Sequence, residues 1–383
     1  MPKNKNAKIK SVTALTLGCS KNVVDSERFI AQLRANNINF TPELKHADAL
    51  VINTCGFIKP AKEESVNVIM QASELRRKGS LKKLIVCGCL AERYKDQLKE
   101  QIPNVDHFFG INAEKEIMDV LSADYKYELL GERQLTPPHY TYLKIAEGCD
   151  HPCSFCAIPL IRGKFHSYPE EKLIKETSFL AEKGVREFNI IAQDSTYYGK
   201  DTHGEQRIGP LMEKLAAIEG VDWLRILYTY PTKFPEDLLD VIASNENICN
   251  YIDMPLQHIS TDVLKSMRRG ITERRIRELI ETIRKKVPGV AIRSTFIVGY
   301  PDETDEEFNR LLNFIREAEL DRVGVFTYSQ EEGTTAFPLE DPVPEDIKEE
   351  RRSILMEAQA EIALKKNREK IGRKLKVIID NKN

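Results

Sequence analysis

Residues 147–159 read EGCDHPCSFCAIP and place Cys149, Cys153 and Cys156 in a C-x3-C-x2-C pattern. Three thiolates this close can grip one compact soft-metal centre. Three is one fewer than a closed structural zinc site or a simple four-thiolate iron–sulfur cluster takes. A cluster held by three cysteines keeps one iron open for a ligand. Two other readings stand beside this one. A zinc ion could take the same thiols with His151 or His166 as a distant fourth ligand. Cys153 and Cys156 alone form a C-x-x-C, which can be a redox pair.

The stretch lies just after an apolar run, and a strand–helix series unfolds from there. The strand candidates are Tyr142–Ala146, Glu187–Ala192, Leu224–Tyr228, Tyr251–Met254, Ala291–Val298 and Arg322–Phe326. Helices are expected near Pro169–Lys183, Ile208–Ile218, Pro235–Ser244, Thr261–Arg268, Glu273–Lys286 and Glu303–Ala318. Six βα units predict a partial parallel barrel whose chemistry sits at the C-terminal strand ends. The cysteine loop follows the first of those strands. Gln193 and Asp194 follow the second, Gln257 and His258 the fourth, and Gly299 the fifth. Gln193, Asp194 and Gln257 can hydrogen-bond a bound cofactor or substrate, although polar residues at strand ends often only cap the next helix. His258 reads as a structural histidine rather than a base. The aromatic residues are scattered without a base-stacking array and read mostly as core.

Upstream, to about residue 123, β-rich runs again alternate with amphipathic helices. The runs are Val12–Leu17, Ala49–Asn53, Lys83–Cys87 and His107–Phe109, and the helices Val23–Asn36, Ala61–Lys78, Ala91–Gln101 and Glu114–Leu121. This alternation predicts a doubly wound parallel sheet with ligands outside the C-terminal strand ends. Cys19, Cys55 and either Cys87 or Cys89 stand at those ends. Cys89 is the expected third member because it follows Gly88 just past the strand, as Cys19 follows Gly18. Cys87 belongs to the strand body and reads as a small buried apolar residue.

Composition bounds the rest. The 383 residues suffice for two or three domains, and a formal net charge of −2 with 30% charged residues gives no basic excess for nucleic acid. No run of about 18 apolar residues exists to span a membrane, so a cytoplasmic location is expected, with the cysteines kept as thiols for metal. The basic start MPKNKNAKIK leads through VTALTLGC straight into Lys21 and Asn22 and reads as a first strand, not a leader. The domains expected are 8–123, a linker at 124–139 punctuated by Gly131, Pro137 and Pro138, a barrel with a long C-terminal helix at 140–370, and a new segment from 371. The helix, Pro344 to about Lys370, should pack Ile354, Ala358, Ile362 and Ala363 against the barrel. The alternation at Leu375 and Val377 should begin a strand.

Taken together, LGCSKNVVDSE (17–27), NTCGFI (53–58), CGCLAERY (87–94), KIAEGCDHPCSFCAIPLIRGKFHSYP (144–169), IIAQDSTYYG (190–199), YIDMPLQHIS (251–260), FIVGYPDET (296–304) and GVFTYSQEEGTTAF (324–337) resemble the radical S-adenosylmethionine (SAM) methylthiotransferases over essentially the whole chain. Within that family the chain most resembles the RimO-like branch, which methylthiolates the β-carbon of an aspartate in small-subunit ribosomal protein twelve. The tRNA-adenosine methylthiotransferases are the alternative branch. The resemblance implies two [4Fe–4S] clusters, one on Cys149, Cys153 and Cys156 and one on Cys19, Cys55 and Cys89. SAM would occupy the open iron of the first, and Phe155, the residue before the last cysteine, would lie near the adenine. TFIVGYPDET matches the superfamily's G-x-I-x-G-x-x-E in part, with Thr295 for the first glycine and Asp302 for the acid, and brings Gly299 to the adenine. The implied chemistry is reductive cleavage of SAM to a 5′-deoxyadenosyl radical, which takes hydrogen from the aspartate, with sulfur delivered from the second cluster. The implied partners are the ribosomal protein, free or in its subunit, and a one-electron donor such as flavodoxin or ferredoxin, with no membrane. The segment from about Ile371 would open a small β-barrel called TRAM, of which this sequence holds only the start.

Overall fold

The structure, a computed structural model, describes residues 9–127, 129 and 135–379. The chain forms two compact units: residues up to Pro138 together with Ile158–Gly163, and His139–Ala157 together with the chain from Lys164.

The first unit runs β1 (Ser11–Thr16), α1 (Ser20–Ala35), β2 (Asn39–Phe40), β3 (Ala49–Thr54), α2 (Lys59–Arg77), β4 (Lys83–Gly88), α3 (Cys89–Gln101), β5 (His107–Phe108) and α4 (Glu114–Val120). The strands pair in the order β2-β1-β3-β4-β5, all parallel. Helices on both faces bury β3 completely, which is why ALVINT is apolar almost throughout instead of alternating. The strand order reverses between β1 and β3, so the connections leaving these two strands diverge and open a crevice at their C-terminal ends. The two-residue β2 is an addition to the expected strands, because so short a strand carries no readable period.

The second unit begins with β6 (Tyr140–Lys144) and β7 (Ala146–Glu147). The five-residue helix α5 (Ile158–Arg162), too short to show a period in the sequence, groups with the first unit. β8 (His166–Ser167) then pairs antiparallel with β7, Ala146 opposite Ser167 and Glu147 opposite His166, and so brackets the loop that carries the C-x3-C-x2-C cysteines. There follow α6 (Glu170–Glu182), β9 (Glu187–Ile191), α7 (Lys200–His203), α8 (Ile208–Ala216), β10 (Trp223–Ile226), α9 (Asp237–Ser244), β11 (Ile248–Asp253), α10 (Thr261–Ser266), α11 (Glu273–Lys286), β12 (Ala291–Val298), α12 (Asp305–Ala318), β13 (Arg322–Thr327) and α13 (Glu345–Arg368). β6, β9, β10, β11, β12 and β13 form one parallel sheet in sequence order, the open (β/α)6 barrel expected. The helices cover it with narrow apolar stripes. α11 buries Ile276, Ile280 and Ile283, and α12 opens with a capping box between Thr304 and Glu307.

Two expectations need correction. Ala358 and Ile362 are buried and the half-buried Ile354 packs on the barrel core as expected, but α13 also buries Lys348, Arg351, Leu355 and Gln359, and Ala363 is only half-buried. Ion pairs turn the helix this way: Arg351 reaches Glu303 and Asp305, and Lys348 reaches Asp341 and Glu345. Paired cations can be buried, so charge, not apolar spacing alone, decides which face turns inward. The second correction is the tail. Residues 373–379 form no strand, and Leu375 and Val377 are exposed. Alternation marks a strand only where a partner edge exists, and none pairs with these residues among those described. No helix among the described residues is long and apolar enough to cross a membrane.

Candidate metal centres and cofactor site

In the first unit the sheet brings three distant cysteines to one end. Cys19 follows β1 and is the extended residue before α1. Cys55 follows β3, and Cys89 opens α3 directly after β4. Cys19 and Cys55 therefore flank the point where strand order reverses. Glycines allow the close approach. A Cβ on Gly18, at φ +87°, would stand 2.7 Å from the Cys55 Cβ and 2.9 Å from its sulfur. Gly88 has φ 94° and ψ −164°, a conformation open essentially to glycine alone, and a Cβ there would press on the Thr54 carbonyl oxygen at 2.7 Å. Gly88→Ala is thus expected to destabilise the first unit by ~3 kcal/mol. A denaturant midpoint equal to that of the unaltered chain would disprove this.

Side chains then fix the loops. Ser65 Oγ accepts from the Cys55 amide at 3.1 Å and donates to the Cys55 carbonyl at 2.8 Å. The Asn22 amide donates to the carbonyls of Leu17 and Thr54 at 2.8 and 3.1 Å, tying the ends of β1 and β3 together. Burial pushes the Cys55 thiol up, and it pushes Cys89 up to about 11, with the positive Arg162 pulling the other way in both. A charge on Cys19 would oppose ionisation of Cys55, and a charge on Cys19 or Cys55 would oppose that of Cys89, so the three sulfurs share one electrostatic neighbourhood. Thiols raised in this way, Cys55 and Cys89, keep their protons until a metal supplies the compensating charge. Burial within β4 pushes the Cys87 thiol up further still.

In the second unit Cys149, Cys153 and Cys156 are all partly exposed on one loop. The middle of that loop is anchored at Ser154. Its amide donates to the Met267 carbonyl at 3.1 Å, its hydroxyl to the Ser266 carbonyl at 2.9 Å, and its own carbonyl accepts from Ala336 at 2.8 Å. Arg269 donates to the Cys153 sulfur at 3.3 Å, and the Tyr230 hydroxyl lies 3.6 Å from the same sulfur. The Tyr230 ring stacks on His151 at 3.7 Å and 3° and lies 4.2 Å from the Arg269 guanidinium. Burial pushes the Cys149 thiol up to about 12. Among the described residues no three His, Cys, Asp or Glu side chains close around a single ion. Two sets of three thiols, with Arg162 donating to Cys89 and Arg269 to Cys153, fit a multi-iron cluster by the chemistry of their donors.

The strand-end residues divide. Gln193 donates to Glu147 at 3.1 Å and leaves its buried Oε1 without a protein partner, an acceptor aimed at no residue described. Both oxygens of Asp194 are engaged: Oδ1 caps the following turn at Thr196, and Oδ2 holds His151 at 2.7 Å. Gln257 sits at φ +75° and lends its backbone to β12, accepting from Ile297 at 2.8 Å. Gly299 donates to Glu303 Oε2 at 3.1 Å, and Lys348 crosses so closely that a Cβ there would collide with the lysine Cγ. Phe155 packs beside Val263, Met267, Tyr300 and Tyr328. His258 is fully buried; its Nδ1 accepts from the Ser260 amide at 3.0 Å, and its Nε2 lies 3.4 Å from Glu303, as a structural histidine should. Asp302 meets Ser266 at the surface, and it is Glu303, which no motif singles out, that is buried with His258 and Arg351. Arg269, Tyr230 and Arg162 are likewise silent in the sequence. Each is one polar or aromatic residue in a loop or short helix, and only its fold neighbours mark it.

An open parallel barrel with three cysteines on the loop after its first strand is the architecture of the radical SAM enzymes, and the model of the Radical SAM superfamily matches residues 143–315. The model of an uncharacterised protein family, UPF0004, matches residues 11–110. The "Ribosomal protein uS12 methylthiotransferase RimO" of Flavobacterium johnsoniae is 51% identical, over 99% of this chain and 88% of the relative. The protein of the same name from Chloroherpeton thalassium is 52% identical over 96% of this chain and 84% of its own, and that from Aquifex aeolicus is 48% identical over the same shares. The chain belongs to the RimO methylthiotransferase family. Among solved structures, the radical SAM methyltransferase TsrM from Kitasatospora setae superposes with a TM-score of 0.63 at 13% identity, covering 86% of this chain and 75% of that one. That likeness shows the fold alone.

Proposed function

We propose that this chain is a radical SAM methylthiotransferase that adds a methylthio group to the β-carbon of an aspartate in the small-subunit ribosomal protein uS12. The observation that carries the reading is the pair of cysteine triplets, each at the C-terminal strand ends of its own parallel sheet. Cys149, Cys153 and Cys156 would hold the cluster that binds SAM, and Cys19, Cys55 and Cys89 a second one. When bound, these groups supply one-electron cleavage of SAM and the sulfur to be transferred. The protein's part is to hold and orient. Ser154 fixes the height of the cysteine loop, Arg269 donates to the Cys153 sulfur, and the Tyr230 hydroxyl, which donates to the Arg269 carbonyl, lies beside the same sulfur. The open Oε1 of Gln193 is an acceptor for the amino or hydroxyl groups of SAM. Asp194 acts through His151, holding the ring that stacks on Tyr230. A β-carbon hydrogen is not acidic, so the reaction asks for no side-chain base, which agrees with His258 being locked against Glu303. A one-electron donor such as flavodoxin or ferredoxin would bring the electron.

The test is mass spectrometry of uS12 and of tRNA from cells lacking the gene. The methylthio mass on the uS12 aspartate should vanish and return with the gene, while methylthio-adenosine in tRNA stays. Loss of the tRNA modification with uS12 untouched would move the chain to the tRNA branch.

A further inference from the structure

Arg162 stands six residues after Cys156 in sequence, yet α5 carries it into the first unit. There it is buried, its side chain only 2% exposed. Its Nη2 donates to Asn22 Oδ1 at 2.7 Å and to the Cys89 sulfur at 3.6 Å, and its Nη1 lies 3.5 Å from Asp25. Asn22 is the residue whose amide ties the ends of β1 and β3. The Cys89 thiol can itself donate to Asn22 Oδ1, at 3.8 Å. A Cys89 sulfur that ligates a metal carries no proton and serves only as an acceptor. Arg162 is already placed to donate to it. Burying a guanidinium is costly unless it is paired, and Asp25 with a Cys89 thiolate would provide the pairing.

We propose that Arg162 is a positioning residue for the centre at Cys19, Cys55 and Cys89: it donates to the Cys89 thiolate, retains the cluster there and raises its reduction potential. The inference rests on the ligand assignment of the proposed function. A positive N–H donor on a ligating sulfur stabilises the electron-richer state, since cluster potentials follow net charge and hydrogen bonds to sulfur. The partners around the ligand are expected to matter as much as partners around metal ligands generally do, about tenfold in retention.

The test uses this 383-residue chain with Cys149, Cys153 and Cys156 changed to Ala, so that only the N-terminal cluster is loaded. Arg162→Gln and Arg162→Lys are added singly. The readouts are the midpoint potential by electron paramagnetic resonance titration, the rate of iron loss to a chelator, and the melting temperature of the metal-free chain. Arg162→Gln should shift the reduction equilibrium about tenfold toward the oxidised form, ~59 mV for one electron, and lose iron about tenfold faster. Arg162→Lys keeps the charge without the fork and should fall between. An unchanged potential and unchanged iron loss in Arg162→Gln would overturn the proposal, as would a lowered melting temperature with both of them unmoved. If Arg162→Gln holds no iron, retention by Arg162→Lys supports the proposal and equal loss in both overturns it. A background chain that binds no iron would instead refute the ligand assignment, and this inference with it.

Discussion

With Cys149, Cys153 and Cys156 replaced together by Ala, the chain is expected to hold about four irons after anaerobic reconstitution, where the unaltered chain holds about eight. Formation of 5′-deoxyadenosine should cease. The triple change is the decisive one, because two remaining thiols could keep part of a cluster. It should also leave the barrel standing. All three side chains are partly exposed, and the loop's own anchors, the Ser154 bonds to Ser266, Met267 and Ala336, do not depend on sulfur. The large core of the second unit contains none of the three. Near-unaltered melting of the metal-free chain would verify this, so that lost iron can be read as lost ligands. Continued 5′-deoxyadenosine formation by the triple variant would show that the SAM-cleaving centre lies elsewhere.

The second large effect separates two neighbouring cysteines. Cys89→Ala should empty the N-terminal site while reductive SAM cleavage stays measurable. Cys87→Ala should keep both clusters. Cys89 begins α3, faces Asn22 and Arg162, and shares an electrostatic neighbourhood with Cys19 and Cys55. Cys87 lies within β4, opposite Asn53 of β3, and packs with Val51, Ile85 and Met118. Removing its small side chain leaves a small gap and costs about 1 kcal/mol. Iron counting and SAM-cleavage assays on the two variants settle the choice. Equal iron loss in both, or loss confined to Cys87→Ala, would reverse the assignment.

Much of this architecture is local information. The longer strands are legible to within two or three residues because β-branched runs and 3.6-residue apolar periods alternate without conflict. β4, α11 and β12 are examples. The elements that escape such reading are the short ones, β2, α5, α7 and the β7–β8 pair, where too few residues exist to show a period. The C-x3-C-x2-C loop is equally legible, since three ligands on one loop are near one another in any fold. Asp194 is legible as a polar strand-end residue, but its occupation is not, because only the folded chain shows both its oxygens bound by Thr196 and His151.

Short-range information therefore carries the βα alternation, the parallel sheets it forces, the C-terminal cysteine triplet and the family resemblance borne by the motifs around it. The tertiary structure decided what depends on closure between distant segments. The order β2-β1-β3-β4-β5 brings Cys19, Cys55 and Cys89 to one end of a sheet, although they span 70 residues (89 − 19). It placed Arg162 beside Cys89 when its sequence neighbours belong to the other triplet. It also turned α13 so that Arg351 and Lys348 point inward. The reason is common to all three. A side chain's worth as a ligand, donor or buried cation is set by the charge and hydrogen-bonding groups it meets, and those are supplied by strands and helices that only packing brings together.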